Sequence, residues 1–453
     1  MSRVIALIDG EHYPPVVRFA LGALALEHDV AAAVFVGGTE KVDLERGMET
    51  YGVPVVTGTS AKHALLAALE RFGPDEVVDL SDEPVVSSAD RFALASIVLG
   101  HGITYRGADF TFAPPRDRVV PSTPTLGIIG TGKRVGKTAV SAYVARLLKA
   151  TGIDPVVLAM GRGGPSEPEL IHGEQVSLTT ADLLGLARQG KHASSDNYED
   201  AVMSRVTTVG CRRCGGGMAG ETFFSNVPEG ARMADALGKR LMVLEGSGAA
   251  IPPVYADASI VVVSAARGAG YVRDYFGPYR VGRADLAVIS SAEVPLATGA
   301  DVERIREAIG DVAPELPVIA TTFRPVPLEP IAGRRVLFAT TAPPAVSSAI
   351  AAHLADNHGA DVVAVSTHLS DRAALRADLE RHAGSFDTLV TELKAAAIDV
   401  VAAAGEVAGV PTVLCDNVPV TVDGSDLDTA VSRVAGLAIE RGDRRKTGGF
   451  GSA

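Results

Sequence analysis

The stretch Gly130-Thr131-Gly132-Lys133-Arg134-Val135-Gly136-Lys137-Thr138 constrains this chain more than any other part of it. The apolar run Thr125–Ile129 precedes it and a helical pattern, Thr138–Ala150, follows. A glycine-rich turn between a strand and a helix N-terminus lets backbone N–H groups cradle a phosphate, and the helix start adds partial positive charge. Lys137 is placed to reach the β- and γ-phosphates of a nucleotide such as ATP, and the Thr138 hydroxyl to ligate Mg2+. Counted back from Gly136, the first glycine of the usual loop falls on Thr131, and Gly130 lies one residue early. The pattern is therefore G-x5-G-K-T. A plain turn is the competing reading, but strand, turn, Gly-Lys-Thr and helix coincide here.

A second element supports the first. Leu241-Met242-Val243-Leu244 is an apolar strand ending in Glu245, followed by Gly246-Ser247-Gly248. A nucleotide-binding sheet places its Mg2+ carboxylate at such a strand end, so Glu245 joins Thr138 as a candidate metal ligand. A phosphorylated substrate beside ATP also needs cations. Arginines in the glycine-rich stretches supply them: Arg162 in Arg162-Gly163-Gly164-Pro165, Arg212 and Arg213 between Cys211 and Cys214, and Arg267 before Gly268. Guanidinium forks bind phosphate oxygens in pairs, and adjoining glycines let backbone approach. Arg162 and Arg213 are favoured, and with Lys137 they form the candidate catalytic set.

The rest of the chain sets the frame. Tryptophan is absent and aromatic residues are 5% of the sequence, so Val, Leu, Ile and Ala must build the cores. That suits parallel sheets covered by helices. At 453 residues several domains are expected. Residues 1–120 alternate strands (Val4–Ile8, Val30–Val36, Val53–Val56, Glu76–Leu80) with helices (Val16–Glu27, Ala61–Phe72, Ser88–Gly100), an N-terminal α/β domain. Residues 121–325 form the P-loop nucleotide-binding domain, and 331–440 a C-terminal α/β region. Pro-rich segments mark both joins. The stretch from Gly161 to Gly220 is polar, Gly-rich and poor in apolar periodicity, and reads as functional loops. Residues 441–453 read as a basic disordered tail. The fold class is α/β: a central P-loop parallel sheet flanked by Rossmann-like α/β regions.

A net charge of −12 argues against nucleic acid as a partner. No apolar run reaches about 18 residues, so no membrane span or membrane partner is expected. Three cysteines give no disulfide framework and point to a reducing, cytoplasmic setting. Cys211-x-x-Cys214 has three readings: loop packing, redox chemistry, or metal binding with His172 or His192. Cys415, in an apolar strand, reads as core. The segment Asp9-Gly10-Glu11-His12-Tyr13-Pro14-Pro15 follows the first strand, where α/β proteins place ligand loops. Its alternative is a helix start whose acids favour the dipole.

The G-x5-G-K-T loop and the later Glu-Gly-x-Gly resemble the dethiobiotin-synthetase-like branch of P-loop proteins. That resemblance covers the central domain and implies ATP-driven phosphorylation of an oxygen, followed by displacement of phosphate. Over nearly the whole chain the sequence resembles the cyclic 2,3-diphosphoglycerate synthetase family. The residues carrying it are Leu7–Val16, Gly130–Thr138, Gly161–Pro165 and Cys211–Gly217. This implies an ATP- and Mg2+-dependent ligase that joins the two phosphates of 2,3-diphosphoglycerate (or acts on a related phosphorylated acid), and a homodimer. Two alternatives stand beside it: a ligase forming a C–N bond through an acyl phosphate, and a nucleotide-dependent switch. MinD-like switches carry a lysine five residues before the P-loop lysine. Gly132 occupies that position here, with Lys133 one place off.

Overall fold

Every residue from Val4 to Asp9 is buried, so the first strand (β1, Arg3–Asp9) sits inside a sheet rather than on its rim. The computed structural model describes residues 1–38 and 50–447, and the chain divides into two units. The first comprises Met1–Pro115 with Gly270–Arg283. Its strands are β1, β2 (Asp29–Gly37), β3 (Val55–Val56), β4 (Glu76–Asp79), β5 (Thr104–Arg106) and β6 (Thr111–Phe112), in the order β3-β2-β1-β4-β5-β6. All pairs are parallel except β5–β6. The helix expected from Val16 starts at Pro14, whose fixed φ suits a first helical position, and ends at Leu24. The sequence reading kept Gly270–Arg283 within 121–325. In the structure it belongs to the first unit, because Phe276 is fully buried and packs edge-on against Phe92 and Phe112, at 5.4 and 5.0 Å between ring centroids.

The second unit comprises Arg116–Ala269 and Ala284–Ala453. Its strands are β7 (Thr125–Gly130), β8 (Pro155–Gly161), β9 (Glu169–His172), β10 (Thr207–Gly216), β11 (Thr222–Ser225), β12 (Leu241–Glu245), β13 (Ala258–Ser264), β14 (Leu286–Ser290), β15 (Val318–Pro327), β16 (Arg335–Ala339), β17 (Asp361–Ser366), β18 (Thr388–Glu392) and β19 (Thr412–Thr421). The sheet runs β11-β10-β8-β12-β7-β13-β14-β15-β19-β18-β16-β17, with β9 also on β10. The C-terminal region expected at 331–440 thus shares one sheet with the P-loop region.

Strands β10, β8, β12, β7, β13, β14 and β15 form one parallel block, flanked by β9 and β11, both antiparallel to β10. Strands β16 to β19 form another. Antiparallel pairing of β15 with β19 joins them. β15 uses Val318–Ala320 to pair with β14 and Thr321–Pro327 to pair with β19. The blocks are therefore staggered along β15 and run in opposite directions, so their carboxyl edges face each other.

Two expectations fail in this unit. The polar stretch Gly161–Gly220 is not mostly loop: it holds β9, β10 and the helices Thr180–Arg188 and Asp196–Ser204. The second helix buries every residue from Asn197 to Ser204, including Glu199 and Asp200, so it has no apolar stripe to betray it. The expected tail also differs. The helix Leu427–Lys446 continues through Arg441, and residues 448–453 lie outside the described residues. Arg445 holds the helix end down: its Nε and Nη2 donate to Asp257 at 3.1 and 2.8 Å, and its Nη1 donates to the Pro121 carbonyl. Among the described residues no helix is long and apolar enough to cross a membrane.

Asp257 is 1% exposed in its side chain and pairs with Arg445 at 2.8 Å. Arg445→Ala should cost about 3–5 kcal/mol of stability, because a buried carboxylate loses its cation. Urea denaturation checks this; an unchanged midpoint would mean the helix end is not anchored there.

Candidate active site

The P-loop begins where β7 has no room for a side chain. A Cβ on Gly130 would lie 2.8 Å from the Val135 side chain, and one on Gly136 (φ +94°) would lie 2.3 Å from the Phe323 ring. The turn is tied to its neighbours: Thr131 N donates to the Val262 carbonyl at 3.2 Å, and Ser290 Oγ to the Val135 carbonyl at 2.7 Å. Lys133 and Arg134 stand exposed on the turn, and Arg134 takes φ +60°. The helix Lys137–Ala150 then starts at the end of the turn. Lys137 is buried, and its Nζ donates to the Gly132 carbonyl at 2.9 Å. Burial pushes its ammonium down to about 8; Glu245 and Asp196 act against that, while Arg162 and Arg213 add to it.

Glu245 ends β12 beside β7, with its side chain buried. Burial raises its carboxyl, and the charge of Asp196 pushes the same way; hydrogen bonding with Asp200 and Thr138 opposes the shift. Asp200 is raised in turn, first by burial and then by Glu245. Thr138 and Glu245 are therefore within reach of one another, as the metal reading requires. The Oε2 of Glu245 has no hydrogen-bond partner although buried. Such an orphan acceptor beside a hydroxyl fits a cation that takes its other oxygens from phosphates and water, as Mg2+ does. Among the described residues no group of three His, Cys, Asp or Glu could hold a metal unaided.

Arg162 and Arg213, distant in sequence, come together. β8 and β10 are parallel neighbours with Arg212 opposite Gly161, so Arg162, just past the end of β8, lies beside Arg213 on β10. Their guanidinium groups close over Gly248: a Cβ there would lie 2.7 Å from Arg162 Nη2 and 3.2 Å from Arg213 Nη2. Arg213 Nη2 donates to the Ser247 carbonyl at 2.7 Å, and its buried Nε has no partner. Among the described residues, neither guanidinium has a carboxylate at ion-pair distance. Lys133 belongs to the same cationic patch, its ammonium lowered first by Arg162. Arg212 is turned away, its Nε donating to the Pro165 carbonyl at 2.6 Å. Arg267 sits exposed on the short turn Ala265–Arg267 after β13.

The other sequence candidates fall outside this patch. Cys211 is buried against Gly230, and burial pushes its thiol up to about 12. Cys214, three places on along β10, is exposed. Strand alternation puts the two on opposite faces, so they do not form one site. His192 packs on Gly163, and Cys415 is core. In the first unit, Asp9 organises its own loop. It accepts from the backbone of Glu11 (2.9 Å), His12 (3.2 Å) and Asp82 (2.8 Å), and from His12 Nδ1 (2.9 Å). Sequence reasoning missed four charged residues of the second unit: Asp196, Glu199, Asp200 and Lys394. The acids lie at i, i+3 and i+4, one face of a helix, and that spacing was the available signal.

Comparisons with known proteins agree with this architecture. Residues 3–113, 125–322 and 327–418 match the N-terminal, P-loop and C-terminal domains described for cyclic 2,3-diphosphoglycerate synthetase. Proteins bearing that name are similar over nearly the full length. The one from Methanothermus fervidus is 46% identical, covering 97% of this chain and 98% of its own. Those from Rubrobacter xylanophilus and Thermococcus gammatolerans are 48% and 49% identical, covering 97% and 96% of this chain and 100% and 98% of their own.

The lowered Lys137 ammonium has a measurable consequence. It is partly neutral near pH 8, and the negative charge of a bound triphosphate raises it again. Binding at that pH should take up as much as about half a proton through Lys137, falling toward zero near pH 6.5, where the lysine is already charged. Calorimetry in buffers of different ionisation heat measures this as the difference between wild type and Lys137→Met. No difference between the two proteins would contradict the assignment.

Proposed function

Because the chain belongs to the cyclic 2,3-diphosphoglycerate synthetase family, we propose that it is an ATP-dependent ligase. It closes an intramolecular phosphoanhydride within 2,3-diphosphoglycerate, giving the cyclic product, ADP and phosphate. The observation that carries this reading is the pair Arg162 and Arg213, two cations without carboxylate partners among the described residues, converging over Gly248 beside the P-loop.

Each step has groups suited to it. The loop Gly130–Thr138 holds the nucleotide phosphates through its backbone and Lys137. Mg2+, held by Thr138 and Glu245, would neutralise phosphate oxygens. Lys137 stabilises the γ-phosphoryl group as it passes from ATP to an oxygen of one substrate phosphate, with ADP as the leaving group. Arg162 and Arg213 bind the two substrate phosphates and offset their repulsion. An oxygen of the second phosphate then attacks the phosphorus of the first, and the bond to the transferred phosphoryl group breaks, releasing orthophosphate. No base is required, since the attacking phosphate is already ionised. Both phosphates ride on one carbon skeleton, so closure is intramolecular and gains from proximity.

Incubation with Mg-ATP and 2,3-diphosphoglycerate, followed by 31P NMR, tests the reading. ADP, orthophosphate and a cyclic anhydride should appear together. ADP formation only with a carboxylic acid plus an amine would replace this reading with C–N ligation. Lys137→Ala should lower kcat by about a hundredfold or more. Arg162→Ala and Arg213→Ala should each raise KM for 2,3-diphosphoglycerate by roughly tenfold to a hundredfold, the value of about 1.5–3 kcal/mol for a charged hydrogen bond, with less effect on KM for ATP.

A further inference from the structure

The helix Asp196–Ser204 brings three carboxyl groups to the P-loop. Asp196, Glu199 and Asp200 share one helix face. Asp196 lies against the end of β8, where a Cβ on Gly161 would come within 3.3 Å of its Oδ2, and it acts on Lys137, Arg213 and Glu245. Asp200 adjoins Glu245, and with Glu245 the patch holds four acids. Lys137, at the start of the P-loop helix, is one of the cations facing them. Another arrives from the opposite block. Lys394 follows β18, whose carboxyl end faces that of β7 because β15 and β19 are antiparallel. Its Nζ lies 3.0 Å from Glu199 Oε1, and its charge acts on Asp196 more strongly than that of Lys137 does.

Lys394 also lies near two acids of its own block, Glu392 and Asp416. Glu392, two residues earlier, is buried and fixed by Thr340 Oγ1 (2.6 Å), Thr341 Oγ1 (2.8 Å) and Asn417 Nδ2 (3.0 Å). Neighbouring Asp416, on β19, pairs with Arg146 of the P-loop helix at 2.7 Å. The charges of Glu392 and Asp416 act on Lys394 together with that of Glu199, and Arg146–Asp416 ties the same edge to the P-loop helix.

We propose that Lys394 is a positioning residue for nucleotide binding: by pairing with Glu199 it satisfies the acid helix and leaves Lys137 free to engage phosphate. Without Lys394, Asp196 loses the cation that acts on it most and competes with the nucleotide for the charge of Lys137. The role presupposes a nucleotide in the loop but not any particular second substrate. ATP affinity therefore tests it independently of the 2,3-diphosphoglycerate assignment, with wild-type binding as the control for the loop itself.

The experiment is a charge-compensation cycle read by calorimetric ATP binding, with circular dichroism and melting temperature recorded for every variant. Lys394→Met should weaken ATP binding about tenfold, whereas Glu199→Gln, which removes a carboxylate and leaves Lys394 with Glu392 and Asp416, should stay within about threefold of wild type. The double variant Glu199→Gln/Lys394→Met removes one charge of each sign and should return to within about threefold of wild type. Lys394→Arg should also stay within about threefold. A folded Lys394→Met that binds ATP as wild type does would overturn the proposal. So would a folded double variant that stays about tenfold weak, and that arm holds even if the single variant does not fold.

Discussion

The antiparallel pairing of β15 with β19 is the constraint on which the second unit depends. Seven residue pairs, from Thr321 with Thr421 to Pro327 with Cys415, set it. A parallel strand in that place would have sent the carboxyl ends of both blocks the same way. In α/β sheets the groups that meet a ligand lie beyond carboxyl ends, so opposing the two edges doubles the chemistry available to one space. The P-loop, Glu245 and the paired arginines come from one edge. Glu392, Lys394 and Asp416 come from the other, and Arg146–Asp416 and Lys394–Glu199 link the edges.

What the sequence made legible was local. The P-loop could be read because strand, turn and helix are contiguous and each carries its own signal: an apolar run, glycines, then a helical pattern from Thr138. Glu245 could be read because it ends an apolar strand. Arg162 and Arg213 could be named from their glycine neighbours. Their meeting over Gly248 could not, since it follows from β8 pairing with β10 across some fifty residues of chain.

The illegible parts share another cause. Hydrophobic periodicity finds helices that bury an apolar stripe, and Asp196–Ser204 buries Asn, Glu and Asp instead. The end of the helix Leu427–Lys446 looked like a solvated basic tail because the value of Arg445 lies in Asp257, 188 residues away. Gly270–Arg283 looked central because it follows a strand of the central sheet, yet Phe276 is used by aromatic residues of the first unit. In each case the deciding partner is remote in sequence, and composition carries no record of it.

The buried acids make sense only with the lysine they surround. A site for several phosphates would seem to need cations alone, but a cation buried among cations loses its charge. Burial already pulls Lys137 down to about 8, and Arg162 and Arg213 act in the same direction. Glu245 and Asp196 oppose both. Too few carboxylates and the lysine turns neutral before the nucleotide arrives; too many, and it is held by protein instead of phosphate. Glu245 and Asp196 with Lys137 as their only nearby lysine would tip toward the second fault. A cation from the opposite edge corrects the balance without adding positive charge to the phosphate side of the site, which is a physical reason for a C-terminal region to share a sheet with a P-loop domain.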